Sequence, residues 1–439
     1  MMKNKTANTL RKIFADKHNR ELVVDSSIAF AIRGGAAAAA FIMNVIISRK
    51  LGAHEAGYFF LAFSVITILG TVVRMGGDYV VLRYVGIYGA EKKWVEVRGV
   101  IKNIITRVLL FSFLLTALTL IFTGFISESI FHKKDASGSF YWMFLAMPLL
   151  GIYTLYAFAL QGLKKVLLSV AIQNLVVPIL VILFVYIWHP KTSAELSKLY
   201  FFSSLITMGL TFYFWKRFVP AGKGEFDSSL LWKSCYALWT MAILQQAVQW
   251  GGQIITGMFK NITSNSLAGL ANAQRTSMLI TFIGIAINLV SAPRFASLYS
   301  QRKMDELKRY SINTTRLMLL FATPLIILVW LFPQYILSLF GKEYESAVWM
   351  LRILALGQYI NIVTGSVGYL LMMSGHEKDM RNITIACGAI SIILNFALIQ
   401  LLGILGAALA IAISVAIQNL WAYRMVKKRL GFSTIGRIH

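Results

Sequence analysis

Acidic residues are scarce in this chain, with 18 Asp and Glu in 439 residues against 43 Lys and Arg. Charged residues of both signs together make up only 14% of the sequence, while 57% is apolar. Soluble domains carry about 25% charged and about 45–50% apolar residues, so an ordinary soluble globule is excluded. A disordered polycation is excluded as well, because 10 Trp, 18 Tyr and 29 Phe are far too many for a chain without a core. There are two cysteines, Cys235 and Cys387, both in apolar stretches, and six histidines scattered from His18 to His439. No disulfide framework and no metal-ligand spacing follow from them. A G-x(4)-G-K-[ST] phosphate loop is also missing, so no nucleotide cofactor is expected and any energy input would come from an ion gradient. The remaining class is a polytopic membrane protein. At about 20 residues per span the length allows about a dozen crossings and no soluble domain of normal size.

Apolar segments bounded by charge, Gly or Pro predict spans at 28–48, 57–82, 104–126, 140–160, 166–187 and 199–215. Six more follow at 234–258, 267–292, 317–337, 347–373, 382–402 and 404–424. The polar, basic head before Ile28 could precede a signal peptide, but the apolar run to Ile47 outlasts the usual core of about 7–15 residues. It is therefore read as a first span. With twelve spans, 31 of the 43 basic residues fall in the alternate segments that include both ends, nine toward the other side, and Arg33, Arg74 and Arg275 within spans. This asymmetry predicts both termini in the cytoplasm and makes anionic headgroups, not nucleic acid, the partners of the basic loops. Landmarks recur at a nearly constant offset: Arg107 with Arg316, Phe131 with Phe340, Trp142 with Trp349, Gly162 with Gly375. The expectation is a parallel repeat, in the order cytoplasmic segment 1–27, N-lobe 28–218, linker 219–233, C-lobe 234–425 and tail 426–439, with a substrate site between the lobes.

Ionised groups are expensive in hydrocarbon, so helices that keep them turn them toward a cavity or a partner. On the second span Ser64, Thr67, Thr71, Arg74 and Asp78 follow steps of 3 and 4 and share one face. Either a polar seam with Arg74 and Asp78 paired one turn apart, or a water-accessible lining, accounts for the stripe. On the first span Arg33 and Asn44 lie three turns apart, separated by small residues such as Ala37 and Ala40. Snorkelling to the inner headgroups is the other reading for Arg33. The seventh span carries Gln245, Gln249 and Gln253 at steps of four beside Gln246, Trp239 and Trp250, a pattern that suits sugar hydroxyls and rings but also suits interhelical amide bonding. Asn272 and Arg275 lie roughly one third of the way into the eighth span from the outer side, where snorkelling is a weaker explanation. Three arginines and one aspartate would give the cavity a net charge of about +2, which favours phosphate or diphosphate.

The pattern resembles the Wzx-type polysaccharide flippases of the multidrug/oligosaccharidyl-lipid/polysaccharide (MOP) exporter superfamily. The residues that carry the resemblance are "ISRKLGAHEAGYFFLAFSVITIL", with Arg49, Leu51, Gly52 and Gly57 in an R-x-LG-x(4)-G loop, "MGGDYVVLRYV", and "AGLANAQRTSMLITFIGIAINLVSAPRFASLY". The resemblance implies an all-α integral membrane protein of 12 transmembrane helices in two six-helix lobes around a central cavity. It implies a bacterial inner-membrane flippase that moves undecaprenyl-pyrophosphate-linked oligosaccharide by alternating access, coupled to Na+ or H+. O-antigen, capsule or exopolysaccharide polymerases and glycosyltransferases would be its neighbours. Arg33, Arg74 and Arg275 become the candidate cavity bases, with Arg49 and Gly52 as loop structure. Two other readings stay open: a multidrug or other lipid exporter of the same superfamily, and a membrane enzyme of polysaccharide assembly. For the enzyme, the short outer loops offer only His132, Asp135 and His189, which form no recognisable constellation.

Overall fold

The computed structural model describes residues 17–436, with side chains from Gly34 onward except at a few positions in the seventh and eighth helices. Among the described residues there are no strands, and the chain makes twelve helical rods. The first continuous helix, Lys17–Val73, breaks at Gly52 (φ +72°) into α1 (17–51) and α2 (53–73). α2 turns at Met75 and Gly76, both with positive φ, and continues as Gly77–Ala90. Then come α3 (Trp94–Ile121), α4 (Ser137–Gly162), α5 (Val166–Trp188, with a π-helical turn at Ile172–Val176) and α6 (Ser193–Phe218). The second half repeats the plan with α7 (Ser228–Met258), α8 (Ser264–Ser300), α9 (Met304–Leu331) and α10 (Val348–Thr364 continued by Val367–Met373). Glu377–Leu430 breaks at Gly403 (φ +58°) into α11 (377–402) and α12 (404–430). α3 and α9 have the same length, 28 residues, and start 210 positions apart, which matches the offset of the sequence landmarks.

Several rods outrun the expected spans. α2 reaches Ala90, α3 starts at Trp94 and α8 reaches Ser300, because a helix can keep its backbone bonds after it leaves hydrocarbon. The linker expected at 219–233 is extended only over 219–227, since α7 begins at Ser228. Arg98 straps this shortened linker to the N-lobe by donating to the carbonyls of Pro220 and Lys223 at 2.9 Å each. α12 runs past the expected end at 425 to Leu430, where Gly431 takes a left-handed cap. Among the described residues, eight stretches are long and apolar enough to cross a membrane, two of them holding a pair of rods joined at Gly52 or Gly403. α6 and α7 are not among the eight, and α7 is the helix with the glutamine stripe.

An even number of rods brings both described ends to one face, which also carries most basic loops and is called here the basic face. The opposite one is the far face. The buried apolar residues form two bodies. The larger runs through the whole N-lobe and crosses into the far-face half of the C-lobe, for example at Leu267, Phe340 and Ile411. The smaller lies within the C-lobe toward the basic face and includes Phe295, Leu307, Leu371, Cys387 and Val426. Apart from the start of α7, where Leu231, Trp232 and Cys235 lean on the N-lobe, the lobes share buried apolar surface only toward the far face.

Candidate functional site

On the far face the α1–α2 corner docks onto the α9–α10 connection of the other lobe. Arg49 donates through Nε to the Leu339 carbonyl at 2.6 Å and through Nη2 to the Ser338 carbonyl at 3.4 Å. The left-handed Gly52 turns the following backbone outward, and the Ala53 N–H donates to Glu343 Oε1 at 2.7 Å. Phe41 packs edge-on against Phe340. The reciprocal contact joins the α7–α8 corner to the α3–α4 connection. There Lys133, 6% exposed, donates from Nζ to the carbonyls of Gly257 at 3.0 Å and Phe131 at 3.1 Å. Burial pushes its ammonium down from the ordinary 10.5 to about 8. Helix α2 meets the start of α8 so closely that a Cβ on Gly57 would overlap the Ser264 carbonyl oxygen.

Two further bonds close the junction deeper in. Asn272 Nδ2 donates to Ser48 Oγ at 2.8 Å, and Ser64 Oγ donates to Gln253 Oε1 at 2.7 Å. Among the described residues, no cross-lobe hydrogen bond is found on α1 before Ser48. On α2 the Val72 carbonyl accepts from Trp239 Nε1 at 2.9 Å, beside the Gly76 turn that abuts Cys235 and Trp239 of α7.

Arg275 sits below this seal, eleven residues into α8 and so about 16 Å along it. Its guanidinium carbon lies 4.3 Å from the Phe60 ring centroid, 5.5 Å from Phe63 and 5.4 Å from Trp250. The ring faces stabilise the cation. Its Nη1 and Nη2 are nevertheless buried without a hydrogen-bond partner, as are Gln246 Oε1, Gln253 Nε2, Asn272 Oδ1 and Gln274 Oε1 nearby in α7 and α8. Unmatched donors on a charged group in a low-dielectric setting are costly, a cost that an anion reaching those nitrogens would offset. Gln249 and Gln245 are exposed further along α7 toward the basic face, with Trp250 half-buried beside Arg275.

The predicted residues therefore divide. Arg275, Gln249 and Gln245 lie on the basic-face side of the seal, while Gln253 and Asn272 belong to the seal itself. Asn44 is buried at 6% exposure on α1. The side chain of Arg33 lies outside the described residues. Arg74 does not join Arg275. Its Nε donates to Asp78 Oδ2 at 2.9 Å, Nη1 to the Gly70 carbonyl at 3.0 Å and Nη2 to Thr71 Oγ1 at 3.0 Å. All three bonds stay within α2, and the side chain lies against Gly151 of α4 inside the N-lobe. Of the two readings of the stripe, the water-accessible lining is corrected to the paired seam: Arg74 and Asp78 neutralise each other, and Thr67 and Thr71 bond back to the backbone of their own helix. The expected net charge of about +2 then rests on Arg33 and Arg275 alone. Arg49 and Gly52, read as loop structure, instead hold the lobes together. Lys133, Glu343, Phe60 and Phe63 were not singled out from sequence. The repeat landmarks Phe131 and Phe340 offered one signal, since each marks a connection that the opposite lobe docks on.

The polysaccharide biosynthesis protein family matches residues 23–299, and the MatE family matches residues 241–397. A probable flippase, AglR of Haloferax volcanii, is 27% identical over 195 residues, which are 43% of this chain and 40% of that relative. The match thus spans less than half of that relative's length. Among solved structures, the lipid II flippase MurJ in an inward closed conformation superposes with a TM-score of 0.73 at 15% identity, over 92% of this chain and 87% of that one. An inward-facing multidrug resistance MATE family transporter of the MOP superfamily superposes at 0.68 and 15% identity, over 89% and 94%. At such identities the likeness concerns the fold alone, whereas the sequence match to the first family runs through the N-lobe, the linker and the whole of the site on α7 and α8. The chain belongs to the polysaccharide biosynthesis protein family and is built on the two-lobed fold of the MOP superfamily.

Proposed function

We propose that this protein is a flippase that carries a lipid-linked oligosaccharide across the membrane, taking the diphosphate of the carrier lipid at Arg275. The observation that carries the reading is the Arg275 guanidinium itself. It is the one described arginine whose two terminal nitrogens are both buried and unpartnered, and it lies where the lobes part. Gln249 and Gln245, exposed along α7, would take sugar hydroxyls, and Trp250 would offer a ring face. The carrier's isoprenoid tail would remain in the bilayer, as its apolar length requires. With the basic face in the cytoplasm, the far-face seal would close the site to the outside. For a bacterial membrane the substrate would be the undecaprenyl-diphosphate form used for O-antigen, capsule or exopolysaccharide, handed on by glycosyltransferases and passed to a polymerase. Na+ or H+ would drive the cycle. A cation exporter would need a free carboxylate near Arg275, whereas Asp78 is committed to Arg74.

The test is a proteoliposome assay with a fluorescent polyprenyl-diphosphate oligosaccharide and a membrane-impermeant quencher. Arg275→Gln should slow flipping at least tenfold while leaving expression and the unfolding midpoint unchanged, and Arg275→Lys should recover part of the rate. A wild-type rate for Arg275→Gln would sink the assignment.

A further inference from the structure

A groove of about 810 Å³ lies between α5 and α6 at the far-face end of the N-lobe, away from the lobe junction. Its walls are Phe184, Leu199, Phe202 and Ile206, and its mouth carries Lys191 and Lys198. From Lys198 to Ile206 is eight residues of α6, or about 12 Å, close to the depth of one leaflet's hydrocarbon. A cationic end and an apolar trough of that length match a phosphate headgroup and an acyl chain.

The charge at the mouth is only partly offset: Glu195 and Glu55, the latter accepting the Ser193 N–H at 2.6 Å, stand against Lys191, Lys198 and the nearby Lys50. Glu195 is the only acid lining the groove, and its Oε2 accepts the backbone N–H groups of Lys191 at 2.7 Å and Thr192 at 3.4 Å, as part of the α6 capping box. Lys191 and Lys198 form no ion pair among the described residues. Lys198 instead holds its ammonium 5.5 Å from the Trp142 ring centroid, and Lys50 does the same over Tyr186 of α5 at 5.5 Å. Basic residues are sparse on the far side of this chain, nine in all, and Arg49 and Lys133 among them are spent on the seal. Three of the remaining seven cluster at this end of α5 and α6. Sidedness alone does not call for that concentration, because the positive-inside bias would thin lysines here.

We infer that this groove is a binding site for an anionic phospholipid, with its phosphate on Lys191 and Lys198 and one acyl chain along Leu199, Phe202 and Ile206. The site is independent of the transport reading, since it shares no residue with the lobe junction. A bound lipid would wedge between α5 and α6 and brace the face of the N-lobe that carries the α1–α2 corner.

Native mass spectrometry of the full-length protein in detergent, titrated with phosphatidylglycerol and with phosphatidylcholine of the same chains, tests this. Wild type should take up the first phosphatidylglycerol roughly tenfold more tightly, or better. The preference should vanish in Lys191→Ala/Lys198→Ala and survive in Lys191→Arg/Lys198→Arg, which also controls for folding. Ile206→Trp, which fills the trough, should weaken both lipids at this first site. Equal affinities in wild type, or a preference that persists in the double alanine variant, would overturn the proposal. Displacement of phosphatidylglycerol by a polyprenyl phosphate at equal concentration would overturn it too, by giving the groove to the carrier lipid.

Discussion

The two ends of the lobe junction are built on different principles. Toward the far face the lobes share one apolar core and are cross-stitched by Arg49, Ala53, Lys133, Ser64 and Asn272. Toward the basic face α8 to α12 enclose a core of their own, and only the start of α7 leans on the N-lobe. The stitches of Arg49, Ala53 and Lys133 come from helix corners and connections, and three bonds end on backbone carbonyls (Ser338, Leu339, Gly257). Each such bond contributes about 1 kcal/mol, more where a charge takes part. A handful of these holds one state without making it permanent, as the proposed carrier would need: a difference of a few kcal/mol that a substrate could reverse. The arrangement is also reciprocal, because each lobe's first helical corner docks on the third-to-fourth helix connection of the other.

The largest effect separates the junction from the inside of a lobe. Arg74→Ala leaves Asp78 unpaired within the N-lobe, and the break of a buried pair costs about 3 kcal/mol of stability. A denaturation series in nanodiscs reads that loss. The far-face seal should not respond, as judged by maleimide labelling of a reporter cysteine in Ser264→Cys, a near-isosteric change at a position 5% exposed. Faster labelling in the Arg74 variant would return Arg74 to the junction. Next comes Gly57→Ala, where a methyl group meets the Ser264 carbonyl and the two helices must separate. Overpacking of this kind costs about 1–3 kcal/mol. Because the strain exists only while the lobes touch, it should appear as an increase of about tenfold in reporter labelling, with the unfolding midpoint little changed. Unaltered labelling would mean that the seal does not depend on that approach.

The sequence disclosed the framework well because hydrocarbon imposes simple rules. Twelve rods, their breaks at charge or glycine, and the polar stripes on α2 and α7 follow from hydropathy and helical spacing. It disclosed the site less well. The stripe of Ser64, Thr67, Thr71, Arg74 and Asp78 looks uniform at steps of 3 and 4, yet Ser64 reaches the other lobe while Arg74 turns back onto its own helix. Periodicity gives azimuth, and over the roughly 21 Å from Ser64 to Asp78 the same azimuth meets different neighbours at each depth. The seal was hidden for another reason. Arg49 and Lys133 donate to main-chain carbonyls, which every residue offers, so no side-chain pattern in the C-lobe marks the acceptors. Arg275 was legible because its depth in the span left snorkelling a weak explanation for its charge.

The smallest effect concerns Lys133 and depends on pH. In the sealed state its ammonium is held near 8 by burial, whereas with the α3–α4 connection released into water it would return toward 10.5. Between those two values the sealed state binds fewer protons than the released one, so raising the pH through this window favours the seal. Below about pH 8 both states are protonated and this group confers no further pH dependence. Labelling of the Ser264→Cys reporter, normalised to the same cysteine in unfolded protein to remove the thiol's own titration, should fall severalfold between pH 8 and 10. Lys133→Met keeps the length of the side chain but cannot titrate, so its labelling should be flat across the range. A pH slope that persists in Lys133→Met would assign the dependence to another group. A flat wild-type profile would show that Lys133 stays equally buried in both states, and that the α3–α4 connection does not part from α7 when the far face opens.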